Sequence, residues 1–255
     1  MKIRVVGCDG GLLPGKLTTC FQITDSLLID AGSAACGLDL TQQKKIRDIF
    51  ISHIHIDHIK DLAFLADNCM GEVESIQIHA LPDVNRALRK HYFNNQLWPD
   101  FTKLPTSHKP FYQLNDIVPE QEYTFGDVRV IPVEVDHTVP AVGFVLHDAE
   151  GSCIISGDTG PTQRIWEMAG QLDDIRLFIV ETAFPNHLQE LADGAKHFTP
   201  ATLKEELKKF ERPGIPIHLY HVKPKFAEEI TKEIKSLGHA NLKFLNNGQV
   251  LQLKT

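Results

Sequence analysis

Little in this sequence points to a secreted, membrane-spanning or nucleic-acid-coating protein, and each shortage excludes something. The five cysteines, Cys8, Cys20, Cys36, Cys69 and Cys153, include no C-x-x-C pair. Neither a disulfide framework nor a thiolate zinc knot is written here, and they read as free, mostly buried thiols in a reducing compartment. No stretch approaches the roughly 18 uninterrupted apolar residues of a membrane helix. Met1 to Gly7 lacks the apolar run of a signal peptide, so a cytoplasmic protein without a membrane partner is expected. Positive charge is short too: 26 Lys and Arg stand against 33 Asp and Glu, a net charge of −7. A long nucleic acid needs a basic surface that neutralises many phosphates, which sets that partner aside. A small anion stays open wherever positive charge is local. Linkers, low-complexity stretches and short repeats are missing as well. At 42% hydrophobic and 23% charged over 255 residues, the chain can bury a large core, and one domain spanning 1–255 is expected.

What the chain has in quantity is histidine, and four potential ligands crowd into Ser52-His53-Ile54-His55-Ile56-Asp57-His58. In an extended or tightly turning segment His53, His55 and Asp57 share one direction, while Ile54 and Ile56 take the other and anchor it. His58 falls on the opposite side, so Asp57 and His58 would serve a different metal from His53 and His55. The cluster by itself suggests two ions.

Strands are expected over Ile3 to Gly7, Thr18 to Ile23, Leu27 to Asp30, Ile46 to Ser52, Val73 to Ala80, Phe125 to Glu134, Asp174 to Glu181 and Ile215 to Tyr220. Ala141 to His147 and Ser152 to Ser156 read as a hairpin closed at Asp148-Ala149-Glu150-Gly151. Helices fit Leu38 to Lys45, Ile59 to Ala66, Pro82 to Phe93, Gln163 to Ala169 and Lys225 to Leu237. Another begins at Pro200, with Thr199 as its N-cap, and runs to about Phe210. Each half repeats one grammar, paired strands followed by strand-and-helix units.

Potential ligands recur just past strand ends: the opening cluster, then His137, Asp158 and His221. Sites in α/β proteins are usually built on such loops. One histidine at a strand end is ordinarily a hydrogen-bonded surface residue, but five histidines and two aspartates are what two zinc-like ions sharing a carboxylate require. Nitrogen-rich ligation favours zinc, with manganese or iron as alternatives, over calcium or magnesium. His79, His91, His108, His147, His187, His218 and His239 lack such company and read as surface or structural.

The opening cluster, with these later residues in order, resembles the metallo-β-lactamase superfamily. Within it, the chain is similar to the class II 3′,5′-cyclic-nucleotide phosphodiesterases of the tRNase Z-related branch. The likeness rests on Ser52 to His58 continuing into Leu62, on Phe93 to Pro99, on Ser156-Gly157-Asp158-Thr159-Gly160, on Val180 to Asn186 and on His197-Phe198-Thr199-Pro200. The chain departs from the pattern at Lys60-Asp61, where a glycine is usual, and at Ala195-Lys196, which replaces a glycine-led version. The resemblance implies a four-layer αββα sandwich. It also implies that His53, His55 and His137 hold one divalent metal, that Asp57, His58 and His221 hold the other, and that Asp158 bridges them.

The implied activity is a binuclear phosphodiesterase that opens 3′,5′-cyclic nucleotides to 5′-monophosphates by attack of a hydroxide held between the ions, with Asp57, Glu181 and His197 in the catalytic set. His197, paired with Glu181, is the acid expected for the leaving alkoxide. Asp30 reads either as the acceptor of a ligand histidine's hydrogen bond or as a turn residue. Thr159 and Asn186 read equally as substrate contacts or loop caps. Phe93 and Trp98 fit a base-stacking platform or, better, an interface in a homodimer. A tRNase Z-like RNA-processing activity, another ester, thioester or lactone hydrolase, and a non-catalytic metal-binding or ligand-binding protein are the alternatives, in that order.

Overall fold

Ala141–Asp148, Gly151–Ile155 and Ile175–Glu181 are apolar at nearly every position rather than at alternate ones, a pattern suited to a sheet covered on both faces. In the computed structural model, which describes residues 1–210, 212 and 214–253, these strands lie at the centre of a seven-stranded sheet. Its order is Leu242–Phe244, Ile217–Tyr220, Ile175–Glu181, Gly151–Ile155, Ala141–Asp148, Val128–Val135 and Tyr123–Phe125. A second seven-stranded sheet runs Val250–Gln252, Lys2–Gly7, Cys20–Gln22, Leu27–Ile29, Asp48–Phe50, Ile76–Ala80 and Tyr112–Asp116. Each sheet begins with antiparallel pairs and goes on with parallel strands.

The alternation along the central strands divides the molecule into layers. Phe144, Leu146, Cys153, Ile155, Leu177 and Ile179 join the core shared with the other sheet. Val145, Ile154, Phe178 and Val180 pack instead under helices Arg164–Gln171, Pro200–Leu207 and Ala227–Ser236. Helices Ala34–Gly37, Leu40–Gln43, Leu62–Cys69 and Pro82–Ala87 cover the outer face of the second sheet. This is the expected four-layer αββα sandwich. Among the described residues no helix is long and apolar enough to cross a membrane.

Four local differences from the sequence reading have physical causes. The helix expected over Leu38 to Lys45 is the single short turn Leu40–Gln43, started by the capping box of Asp39 and Gln42, and a separate short helix, Ala34–Gly37, precedes it. The helix from Pro82 keeps α geometry to Ala87 and continues as a π-turn over Leu88–Tyr92. Strands Tyr112–Asp116, Leu242–Phe244 and Val250–Gln252 are short or half-polar, without the apolar pattern that marks the others. The alternation through the histidine cluster stops at His55, the N-cap of helix Ile56–Ile59, so Ile56 is 59% exposed and anchors nothing. Ile59 and Leu62, both buried, take over that task.

The same short helix is pressed against the loop that follows strand Leu27–Ile29 at Gly32, where a Cβ would lie 1.8 Å from the Asp57 carbonyl oxygen and 2.8 Å from Thr18 Oγ1. Gly32→Ala is therefore expected to cost about 1–3 kcal/mol, seen as a lower urea midpoint. An unchanged midpoint would mean that the ligand-bearing turn yields freely.

Candidate metal centre

Loops from both sheets bring the histidines to one edge of the sandwich. His55 Nδ1 lies 3.0 Å from His53 Nε2 and 3.1 Å from His137 Nε2. The far nitrogens decide the tautomers. His137 Nδ1 stands 3.1 Å from the Lys196 carbonyl, which only accepts, so Nδ1 carries the proton and Nε2 a lone pair. Ser52 Oγ donates to Asp30 Oδ2 at 2.8 Å and accepts from His53 Nδ1 at 3.0 Å, which leaves His53 Nε2 bare as well. Burial keeps these imidazoles uncharged: it holds His53 well below the ordinary histidine value, lowers His55 and brings His137 down to about 4. Two lone pairs thus converge on His55, whose one proton can satisfy only one of them. A cation with an affinity for imidazole fits that set.

The second group shares a carboxylate with the first. Asp158 Oδ2 lies 3.1 Å from His58 Nε2, 3.2 Å from His221 Nε2 and 3.7 Å from His53 Nε2. Asp57 Oδ2 approaches His221 Nε2 at 3.7 Å. Asp158 Oδ1 is buried and has no hydrogen-bond partner among the described residues, an unmet acceptor that a cation would satisfy. Burial alone would raise the Asp158 pKa, but His221 and His58 outweigh it and hold the carboxyl well below its usual range. Asp57 behaves alike, its burial overcome by His58 and His221. His221 is pushed down to about 3 by burial. His58 goes the other way: burial opposes its charge, yet Asp158 and Asp30 hold it well above the ordinary value. Within each group the donor atoms lie within 4.8 Å of one another. Both groups fit divalent metal ions, and binding would displace the His58 Nε2 proton.

Glu181 and His197 stand against this cluster. Glu181 Oε1 accepts from His197 Nδ1 at 2.8 Å and from the Thr159 N–H at 3.1 Å. The His197 ring stacks on His221 at 5.2 Å and 16° and meets His137 edge-on at 5.1 Å. Burial opposes charge on both partners, raising the Glu181 carboxyl and working against imidazolium at His197. At His197 the Glu181 carboxylate prevails and the pKa is raised. The Glu181 contact therefore favours the protonated form of this imidazole.

Of the remaining residues singled out from the sequence, Asp30 reaches the cluster, accepting from His58 Nδ1 at 2.7 Å and from the Ser52 N–H at 2.8 Å. Thr159 is buried and its hydroxyl bonds the Gly160 carbonyl at 2.7 Å. Asn186 Oδ1 accepts from the Ala201 N–H at 2.8 Å at the start of helix Pro200–Leu207. Phe93 is fully buried among Tyr92, Phe101 and Tyr112, whereas half-buried Trp98 packs edge-on against exposed Phe64. Sequence reasoning did not assign roles to Ser52, to the Lys196 carbonyl, or to Thr19, whose hydroxyl lies 3.4 Å from His221 Nδ1. Only Ser52 carried a signal, its place at the head of the cluster. Lys196 adopts φ 53, a left-handed conformation that the glycine usual in this segment takes without strain. Asp61 accepts from the N–H groups of Ala35 and Cys36 and so holds helix Ala34–Gly37.

Residues 26–236 match the family described as the β-lactamase superfamily domain. A "Probable 3′,5′-cyclic-nucleotide phosphodiesterase" of Yersinia pestis is 26% identical over 280 aligned residues, covering 89% of this chain and 79% of that protein. A 3′,5′-cyclic-nucleotide phosphodiesterase of Aliivibrio fischeri is 25% identical over 249, covering 81% of this chain and 74% of its own. The crystal structure of unliganded yeast PDE1 superposes with a TM-score of 0.80 at 20% identity, over 99% of this chain and 99% of that one.

Asp30→Asn keeps a side chain that tolerates the left-handed backbone at φ 59 but weakens the acceptor shared by His58 and Ser52. It is expected to lower metal affinity roughly 10–100-fold, measured by chelator competition. Wild-type affinity would show that Asp30 only shapes the turn.

Proposed function

The chain belongs to the β-lactamase superfamily, and from that premise we propose that it is a metal-dependent phosphodiesterase that opens 3′,5′-cyclic nucleotides to 5′-monophosphates. The observation that carries the reading is His197, held as a proton donor by Glu181 beside the convergent ligands. An acid at this place matters most where the leaving group is a poor one, such as a sugar alkoxide. The names of the Yersinia and Aliivibrio relatives support the same substrate class.

In this reading His53, His55 and His137 would hold one divalent ion, Asp57, His58 and His221 a second, and Asp158 would be shared between them. The nitrogen-rich donors favour zinc, manganese or iron. When bound, such ions neutralise phosphoryl charge and make water a competent nucleophile at neutral pH. The chain's own part is orientation and proton delivery. Ser52 and Asp30 keep the Nδ1 protons of His53 and His58 turned away from the centre. Glu181 engages His197 Nδ1 and leaves Nε2 to give its proton to the departing 3′ oxygen. The P–O3′ bond breaks, a water-derived hydroxide oxygen joins phosphorus, the departing 3′ oxygen takes the His197 proton and becomes the hydroxyl, and the proton released by the water restores the imidazolium through solvent.

His197→Ala should lower kcat on cyclic AMP about 10²–10⁴-fold. Bis(p-nitrophenyl) phosphate, whose phenolate leaves without help, should be much less affected. Asp158→Ala should abolish both activities. A metal-loaded wild type that turns over a lactone and a β-lactam but neither phosphodiester contradicts the proposal.

A further inference from the structure

The geometry points to Lys223 as the group that receives the anionic oxygens of the phosphodiester and of the monophosphate product, selecting charged substrates over neutral esters at this site. The inference builds on the phosphodiesterase reading and names a residue that its motif residues do not include.

A chain of net charge −7 needs local positive charge to hold a small anion. Three lysines lie next to the loops that carry the cluster. Lys60, two residues after His58, has its ammonium 2.7 Å from Asp61 Oδ1. Lys196, beside His197, is 2.5 Å from Asp136 Oδ1. Both charges are answered by carboxylates. Lys223, two residues after His221, has no carboxylate within ion-pair distance among the described residues. Its ammonium lies 5.0 Å from the centre of the Phe184 ring and 3.5 Å from the Gly10 carbonyl. One long hydrogen bond and one ring face leave donors of an ammonium to spare.

Its position is set by the fold. The chain leaves strand Ile217–Tyr220 through His221, whose N–H donates to the Cys8 carbonyl at 2.7 Å, and Val222 accepts from the Gly10 N–H at 3.0 Å. A Cβ on Gly10 would lie 2.2 Å from the His221 carbonyl oxygen, so the glycine loop is packed directly on the ligand. Phe184, which supports the ammonium, has its ring 5.8 Å from that of His197. The charge of Lys223 is felt at His197, where it works against the imidazolium. The lysine therefore borders the proton-donating side of the centre. A half-buried ammonium there attracts phosphoryl oxygens more strongly than one in open water, since the surroundings screen it less. A monophosphate bears more negative charge than a diester, so product and inorganic phosphate depend on Lys223 most.

The test compares metal-loaded wild type, Lys223→Met and Lys223→Arg in two measurements: cyclic AMP kinetics and calorimetric binding of inorganic phosphate. The Met variant is expected to raise KM and to weaken phosphate binding about 10–100-fold, with kcat little changed. Arg should restore most of both. Wild-type KM and phosphate affinity in the Met variant would overturn the assignment. So would a fall in kcat with both unchanged, which marks a lysine that merely holds the Gly10 loop. Phosphate binding that depends on Lys223 in a wild type inert toward cyclic AMP supports this assignment and counts against the cyclic-nucleotide reading alone.

Discussion

Asp158 is a buried carboxylate with one oxygen turned to His53, His58 and His221 and the other turned to no hydrogen-bond donor among the described residues. Taking such a group out of water costs several kcal/mol unless positive charge meets it. Protonated His58 meets part of that need, and the bare nitrogens of His53 and His137 point to a cation for the rest. The same atoms that make the protein alone electrostatically uneasy are a ready donor set for metal. Binding and local stability are therefore coupled at this centre.

The scaffold around the centre accepts strain to keep those atoms in place. Asp30 and His221 are non-glycine residues at φ 59 and φ 62, conformations that cost of order 1–3 kcal/mol each. Each is pinned where it departs from easy geometry: the Asp30 N–H bonds the Phe50 carbonyl and the His221 N–H bonds the Cys8 carbonyl. One consequence is that a single carboxylate, Asp30, orients His58 directly and His53 through Ser52. The two groups of ligands are thus joined by Asp158 on the inner side and by Asp30 on the outer. Loss of either is expected to disturb both groups rather than one.

Much of this was legible in the sequence because metal chemistry demands residue types in numbers that nothing structural requires. The cluster at His53 to His58, with His137, Asp158 and His221 at strand ends, identified the ligand candidates, and the family resemblance that those residues carry implied the sandwich, in agreement with the repeated strand-and-helix grammar. His79, bonded to Asp48 and stacked on Phe50, has the structural role its isolation suggested. What could not be read depends on three-dimensional placement. The Lys196 carbonyl sets a tautomer through its backbone, to which any residue type contributes equally. The helical turn at Ile56 was hidden because alternating Ile and His imitates a strand. Phe93, apparently available for an interface or a base, is consumed by the core. Lys223 is one lysine among many until its neighbours are known.

The central claim is that two ions share Asp158 and act together. Stripping the protein of metal and titrating it with zinc while following cyclic AMP hydrolysis tests it directly. Turnover that stays near background through the first equivalent and rises to its plateau with the second is the predicted result. Full turnover at one equivalent, or none at saturating metal, would contradict the account.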